Sequence, residues 1–178
     1  MRHFSYILMM CLVLLGCSES SVESNDTAPD QIQREGQMMT ATRQSGEYEL
    51  RLIVHQSGDH NFTFQPGIKY RGQDANNEIY HSKDVFDIDL QMDGETILPL
   101  RSGTSEELIT KLTKDSWYSN EVEITLTPEQ VQQLSNGEID VILSAVFRSE
   151  QSGYNDEKKM IISGEEILFR QVNADQKE

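Results

Sequence analysis

The sequence predicts an all-β fold, an antiparallel sandwich with one or two short helical turns. Three observations carry this expectation. Apolar and polar residues alternate in several short runs, turn-forming residues separate the runs, and a single compact helix-start pattern interrupts them.

The first run begins at residue 46. Tyr48, Leu50, Leu52 and Val54 share one face, with Glu47, Glu49 and Arg51 on the other, as a strand buried on one side requires. Phe62, Phe64, Ile68 and Tyr70 follow, interrupted by Pro66-Gly67. Proline has no N–H to give to a ladder, so this strand is expected at an edge or bulged. Phe86, Ile88, Leu90 and Met92 lead into Asp93-Gly94, the strongest short hairpin signal in the chain, with residues 97–100 as the return strand. Residues 104–112 satisfy two patterns: Thr104 with Glu107 would cap a helix, while Leu108, Thr110 and Leu112 alternate. A short helix is the expectation there.

Val122, Ile124 and Leu126 form the next strand, and Ile139, Val141, Leu143, Ala145 and Phe147 the one after the helix. The latter also carries Ile142 and Val146 on its second face, which predicts a central strand covered on both sides. Residues 160–162 and 167–169 close the domain, with Gly164 as a turn or bulge. Seven to nine short strands of this kind argue for an antiparallel sandwich. Between two of them, Thr127-Pro128-Glu129-Gln130 reads as a capping box: Thr127 caps, proline takes the first helical position, and Gln130 reaches back. Val131 and Leu134 give this helix a small apolar face, and Asn136-Gly137 ends it. The order strand, short helix, glycine, strong strand over residues 120–147 resembles the E–F crossover of bacterial immunoglobulin-like domains, which implies an immunoglobulin-like sandwich. The cysteine pair and buried tryptophan of antibody domains are missing in this form, since Trp117 lies in a loop-like stretch.

The N-terminus carries a different kind of information. Arg2 precedes an apolar run over residues 4–15, too short for a bilayer span of about 20 residues and suited to the core of an export signal. Its ending, Leu14-Leu15-Gly16-Cys17, resembles the lipobox of bacterial lipoproteins. That resemblance implies cleavage between Gly16 and Cys17, a diacylglycerol on the Cys17 thiol, and an acylated new amine. Ser18 in the next position implies sorting to the outer membrane; the domain is expected to face the periplasm. The expected organisation is a signal peptide over residues 1–16, a lipidated flexible tether over 17–45, a sandwich over 46–174 and a disordered tail over 175–178. Residues 18–45 hold few apolar residues and no aromatic, too little to offset the entropy of ordering. As a coil they would reach on the order of 30 Å.

Composition removes several functions. Thirty acids against 15 bases give a charge of −15, which disfavours nucleic acid and polybasic adhesion to anionic lipid. Cys11 would leave with the signal and Cys17 would carry lipid, so the mature domain has no thiol for a disulfide, a metal or catalysis. Ser57-Gly58-Asp59-His60 holds the residue types of a hydrolase triad, but neighbours in one tight turn do not form that relay. No Gly-x-Ser-x-Gly elbow and no glycine-rich phosphate loop is present. His55, His60 and His81 lack ligand spacing.

Two groups of residues remain as sites. Asp84, Asp87, Asp89 and Asp93 crowd one strand and its turn. They read as a solvated acidic face or a weak cation site, because carboxylates that alternate along a strand stand about 7 Å apart and do not chelate alone. Trp117, Tyr118 and Tyr154 could anchor a partner, as exposed aromatics do at binding hot spots. No cofactor is implied. The expectation is a non-catalytic, lipid-anchored envelope protein that acts as an interaction or accessory module for an envelope protein or complex. The alternative is a periplasmic lipoprotein that binds a small ligand or cation, and a hydrolase built from residues distant in sequence comes third.

Overall fold

The computed structural model describes residues 27–82, 84–100, 106–150 and 155–168. Among these, the strands in chain order are β1 (Gln31–Glu35), β2 (Met38–Ser45), β3 (Tyr48–Gln56), β4 (Asn61–Tyr70), β5 (Asn76–His81), β6 (Phe86–Met92) and β7 (Glu95–Leu100). Then come β8 (Leu108–Thr113), β9 (Trp117–Ser119), β10 (Val122–Thr125), helix α1 (Pro128–Ser135), β11 (Ile139–Ser149) and β12 (Asn155–Ser163), and a 3₁₀ turn at Gly164–Glu166. The signal segment with Gly16 and Cys17, Thr104, Tyr154 and residues 175–178 lie outside the described residues.

Every strand pair is antiparallel, and the strands form two sheets. The first has the order β1-β2-β3-β4, with β10 and β9 side by side along the far edge of β4. In the second, β11 is central: β12 pairs along one edge, while β6 and then β5 share the other, extended by β7 and β8. Stripped of its additions, this is β3-β4-β10 facing β6-β11-β12, with the chain changing sheets between β4 and β5, returning between β8 and β9, and changing again through α1. That connectivity is the immunoglobulin-like sandwich.

The alternating runs face inward as their period requires. Tyr48, Leu50, Leu52 and Val54 of β3 and Phe62, Phe64, Ile68 and Tyr70 of β4 are buried. They meet Ile88 and Leu90 of β6, Val141, Leu143 and Phe147 of β11, and Met160 and Ile162 of β12 in one continuous core. The Asp93-Gly94 hairpin forms with φ of 53° and 82°, the left-handed pair that a two-residue turn of this type needs. The α1 capping box is reciprocal: the Gln130 N–H donates to Thr127 Oγ1 at 3.2 Å, and the Thr127 N–H donates to Gln130 Oε1 at 2.9 Å.

Four expectations change. The stretch given to a tether is folded from Gln31 onward: β1 and β2 continue the first sheet, and Met39 and Ala41 are wholly buried in the core. The segment before β1 also docks, as the Ile161 N–H donates to the Thr27 carbonyl at 2.8 Å and the Asp30 N–H to the Thr42 carbonyl at 2.9 Å. Residues 108–113 are a strand rather than a helix, because pairing along all of β5 supplies the ladder that a capping pattern alone cannot outweigh. Strand β4, with Pro66, is interior rather than an edge. Its β9 and β10 partners leave a gap opposite Gln65 and Pro66, so the ladder on that side is interrupted where a proline would break it. Finally, Gly164 makes the expected turn, as the start of a 3₁₀ helix, but Ile167 just beyond it is buried without a strand of its own.

Candidate functional site

The outward face of the first sheet carries the most organised polar cluster among the described residues. Register places Glu49, Lys69 and Trp117 in one row across β3, β4 and β9, and Arg51, Gly67 and Ser119 in the next. Trp117 lies over Gly67, where a Cβ would meet its Cε3 at 3.3 Å, so glycine here makes the seat for the indole. The Arg51 Cζ and the Lys69 Nζ each stand 4.1 Å from the ring centroid. Contacts of this kind contribute about 0.5–2 kcal/mol each, more as they are desolvated.

An ion-pair network continues from this point. Glu49 Oε2 accepts from Lys69 Nζ at 3.0 Å and from Arg71 at 2.7 Å, and Arg71 Nη1 donates to Asp115 Oδ1 at 2.7 Å. Asp115 holds a left-handed conformation (φ 60°) in the turn between β8 and β9, and its N–H donates to the Tyr70 carbonyl at 2.9 Å. Burial acts to raise the Glu49 carboxyl, but the hydrogen bonds from Lys69 and Arg71 outweigh it and hold the group below the ordinary range. Burial pulls the Arg51 guanidinium downward, offset in part by the charge of Glu49. It remains charged at any physiological pH.

The aromatic candidates separate. Trp117 points outward, while Tyr118, its neighbour on β9, points to the other side and stacks on Phe86 of the second sheet, with centroids 6.1 Å apart and rings 26° from parallel. They therefore do not form one anchor. The acidic candidates separate as well. Asp87 and Asp89 lie on the outer face of the second sheet, but Asp89 is buried, not solvated, and pairs in register with buried Ile142. Asp93 sits in the hairpin turn. Among the described residues no group of three or more His, Cys, Asp or Glu side chains comes together to hold a metal ion, these four aspartates included. His81 is buried, with Nε2 2.8 Å from Thr110 Oγ1, while His55 is exposed on the opposite sheet. A shallow depression of about 300 Å³ on the β1–β2 hairpin is lined by Gln33, Arg34, Glu35, Met38 and Thr40 and has the polar character of open surface.

Sequence reasoning singled out Trp117 and missed its companions. Arg51 and Lys69 read as the solvent-facing positions of two strands, and only the strand register brings them to the indole.

No protein family matches the chain, and no curated protein does. Among solved structures, the GAE domain of GGA2p from Saccharomyces cerevisiae is similar at 11% identity, covering 68% of this chain and 92% of that one, with a TM-score of 0.37. A protein from Archaeoglobus fulgidus is similar at 11% identity over 68% of this chain and 96% of that one, with a TM-score of 0.36.

Proposed function

We propose that this protein is a lipid-anchored envelope lipoprotein of non-catalytic type, an interaction or accessory module for an envelope protein or complex. Its address rests on Leu14-Leu15-Gly16-Cys17, with Cys17 as the lipidated residue and the outer membrane, periplasmic side, as its place. The observation that carries the interaction reading is Trp117, held on an outer sheet face by Gly67, Arg51 and Lys69. A large aromatic fixed in place on a strand is the type of group that anchors a partner at low entropic cost.

In-cell crosslinking followed by affinity purification and mass spectrometry, with wild type beside Cys17→Ser, tests both halves. The expected result is one stoichiometric partner for the wild type, lost when the variant leaves the membrane fraction. Membrane retention of Cys17→Ser would overturn the anchor, and absence of a partner in both forms would overturn the module.

A further inference from the structure

The edge of a β-sheet presents unpaired backbone groups, and natural sheets protect it with proline, bulges, charge, short strands or covering segments. Among the described residues most edges are protected in one of these ways. Strand β7 carries Pro99 and meets a register shift at Leu90/Gln91, and β9 and β10 are three and four residues long. The Ile161 N–H of β12 is taken by the Thr27 carbonyl. Strand β1 is polar, and its Arg34 donates to the Glu166 carbonyl at 2.9 Å. Strand β8 has neither proline nor bulge, and it ends the second sheet with β5 as its strand partner. Its Ile109 is 61% exposed, the most of any large apolar side chain among the described residues.

The backbone of β8 also has a direction. The Lys114 N–H donates to the Ala75 carbonyl at 3.0 Å, one step beyond the Thr113–Asn76 pair. Hydrogen-bonding direction alternates along a strand. Leu108, Thr110 and Leu112 therefore spend their backbone groups on β5, while those of Glu107, Ile109 and Lys111 point to the open edge. The side chains of these same three residues lie on the outer face: Ile109 and Lys111 pair with Tyr80 and Glu78, and Glu107 Oε1 accepts from Arg148 Nη2 at 2.7 Å. The series acid, isoleucine, base is self-complementary. With a second copy antiparallel and the two Ile109 residues opposed, each Lys111 stands opposite the other copy's Glu107, and Leu108 opposite Thr110. Opposite charges and apolar pairs in these positions favour a ladder. The other charges close by are Glu78, which sets Lys111 between two carboxylates, and Glu106 and Glu150. The net charge of −15 opposes association, but it is screened beyond about 8 Å at physiological salt. We propose that β8 pairs with β8 of a second copy, joining the two second sheets into one across a two-fold axis. The inference goes beyond the module reading and does not depend on it.

A contact of one short strand is smaller than a standard interface, so the dimer is weak and depends on concentration. Sedimentation equilibrium of the full-length protein in density-matched detergent compares wild type with Lys111→Glu, Glu107→Lys and the double exchange, with urea melts confirming that each variant is folded. The expected result is a monomer–dimer equilibrium in wild type, weakened about tenfold in each single variant, where like charges meet. The double exchange regains it, because it only swaps the two ends of the pair. Ile109→Asp, at an exposed position, keeps the urea midpoint and loses the dimer. A wild type that stays monomeric at every concentration, a dimer untouched by Lys111→Glu, or a double exchange no better than the single variants would overturn the pairing. A photo-crosslinker in place of Ile109 that captures a different protein and never a second copy would overturn it in favour of a foreign strand.

Discussion

Replacing Met39 by alanine tests whether the N-terminal hairpin belongs to the folded domain. Met39 is fully buried in β2, paired in register with fully buried Val54, whereas its neighbour Met38 is 37% exposed on the opposite face. Truncating a buried methionine removes its transfer free energy and leaves a cavity, a loss of about 2–5 kcal/mol. The same change at Met38 removes surface contact and costs about 0.5 kcal/mol or less. Taking about 3 kcal/mol for Met39→Ala, the melting temperature falls on the order of 10 °C for a domain of this size. Urea unfolding of both variants gives the difference directly, provided the slope with denaturant is unchanged. Equal stability of Met39→Ala and Met38→Ala would refute the docked hairpin and restore an unfolded segment up to Ser45.

Other outcomes follow from the same packing and charges. In Gly72→Ala the new Cβ falls on the phenol of Tyr70, which is fully buried; overpacking of this kind costs about 1–3 kcal/mol, and an unchanged urea midpoint would show that the ring has room to move. Gly94→Ala forces a side chain into φ of 82°, so it lowers stability by about 1 kcal/mol, measured in the same way. Because the Glu49 carboxyl is held below its ordinary range in the folded state, its stabilising contribution is present above the unfolded value of about 4.3 and is lost as pH falls through the folded one. The stability gap between wild type and Glu49→Gln is therefore constant near neutrality and closes in acid, and a gap that persists undiminished to the acid limit would remove Glu49 from the network.

Much of the sandwich was legible because its central strands combine period-two alternation with large apolar residues. Residues 48–54 and 139–147 needed no more than that, and the Asp93-Gly94 turn and the Thr127 capping box are local chemistry written in adjacent residues. What failed was weaker in side chains. Strand β2 offers the core only Met39 and Ala41, and β5 buries Asn77 and His81 around Ile79. Neither run looks apolar: composition argued for solvent at residues 38–45 and signalled no strand at 76–81, where in both cases pairing with a neighbouring strand decides for sheet. At β8 a capping pattern competed with alternation, and the long-range ladder to β5 settled it. The site behaved in the same way: Trp117 is visible as a lone large aromatic, but Arg51 and Lys69 reach it through pairings that join residues distant in sequence.

The two sheets also differ in how far along the chain their pairs must be gathered. In the first, β1 to β4 pair in sequence order through short turns. In the second, Ile88 of β6 waits for Leu143 of β11, and the cost of closing a loop grows with its length. A meander of neighbouring strands is favoured early, while a long-range pair is slow. During synthesis, the inner face of the N-terminal meander, with Met39, Leu50 and Phe64, is complete well before residues 139–162 exist to cover it. Until then it is an apolar surface without a partner, and the chain is open to capture by a holding chaperone or by another copy of the same meander.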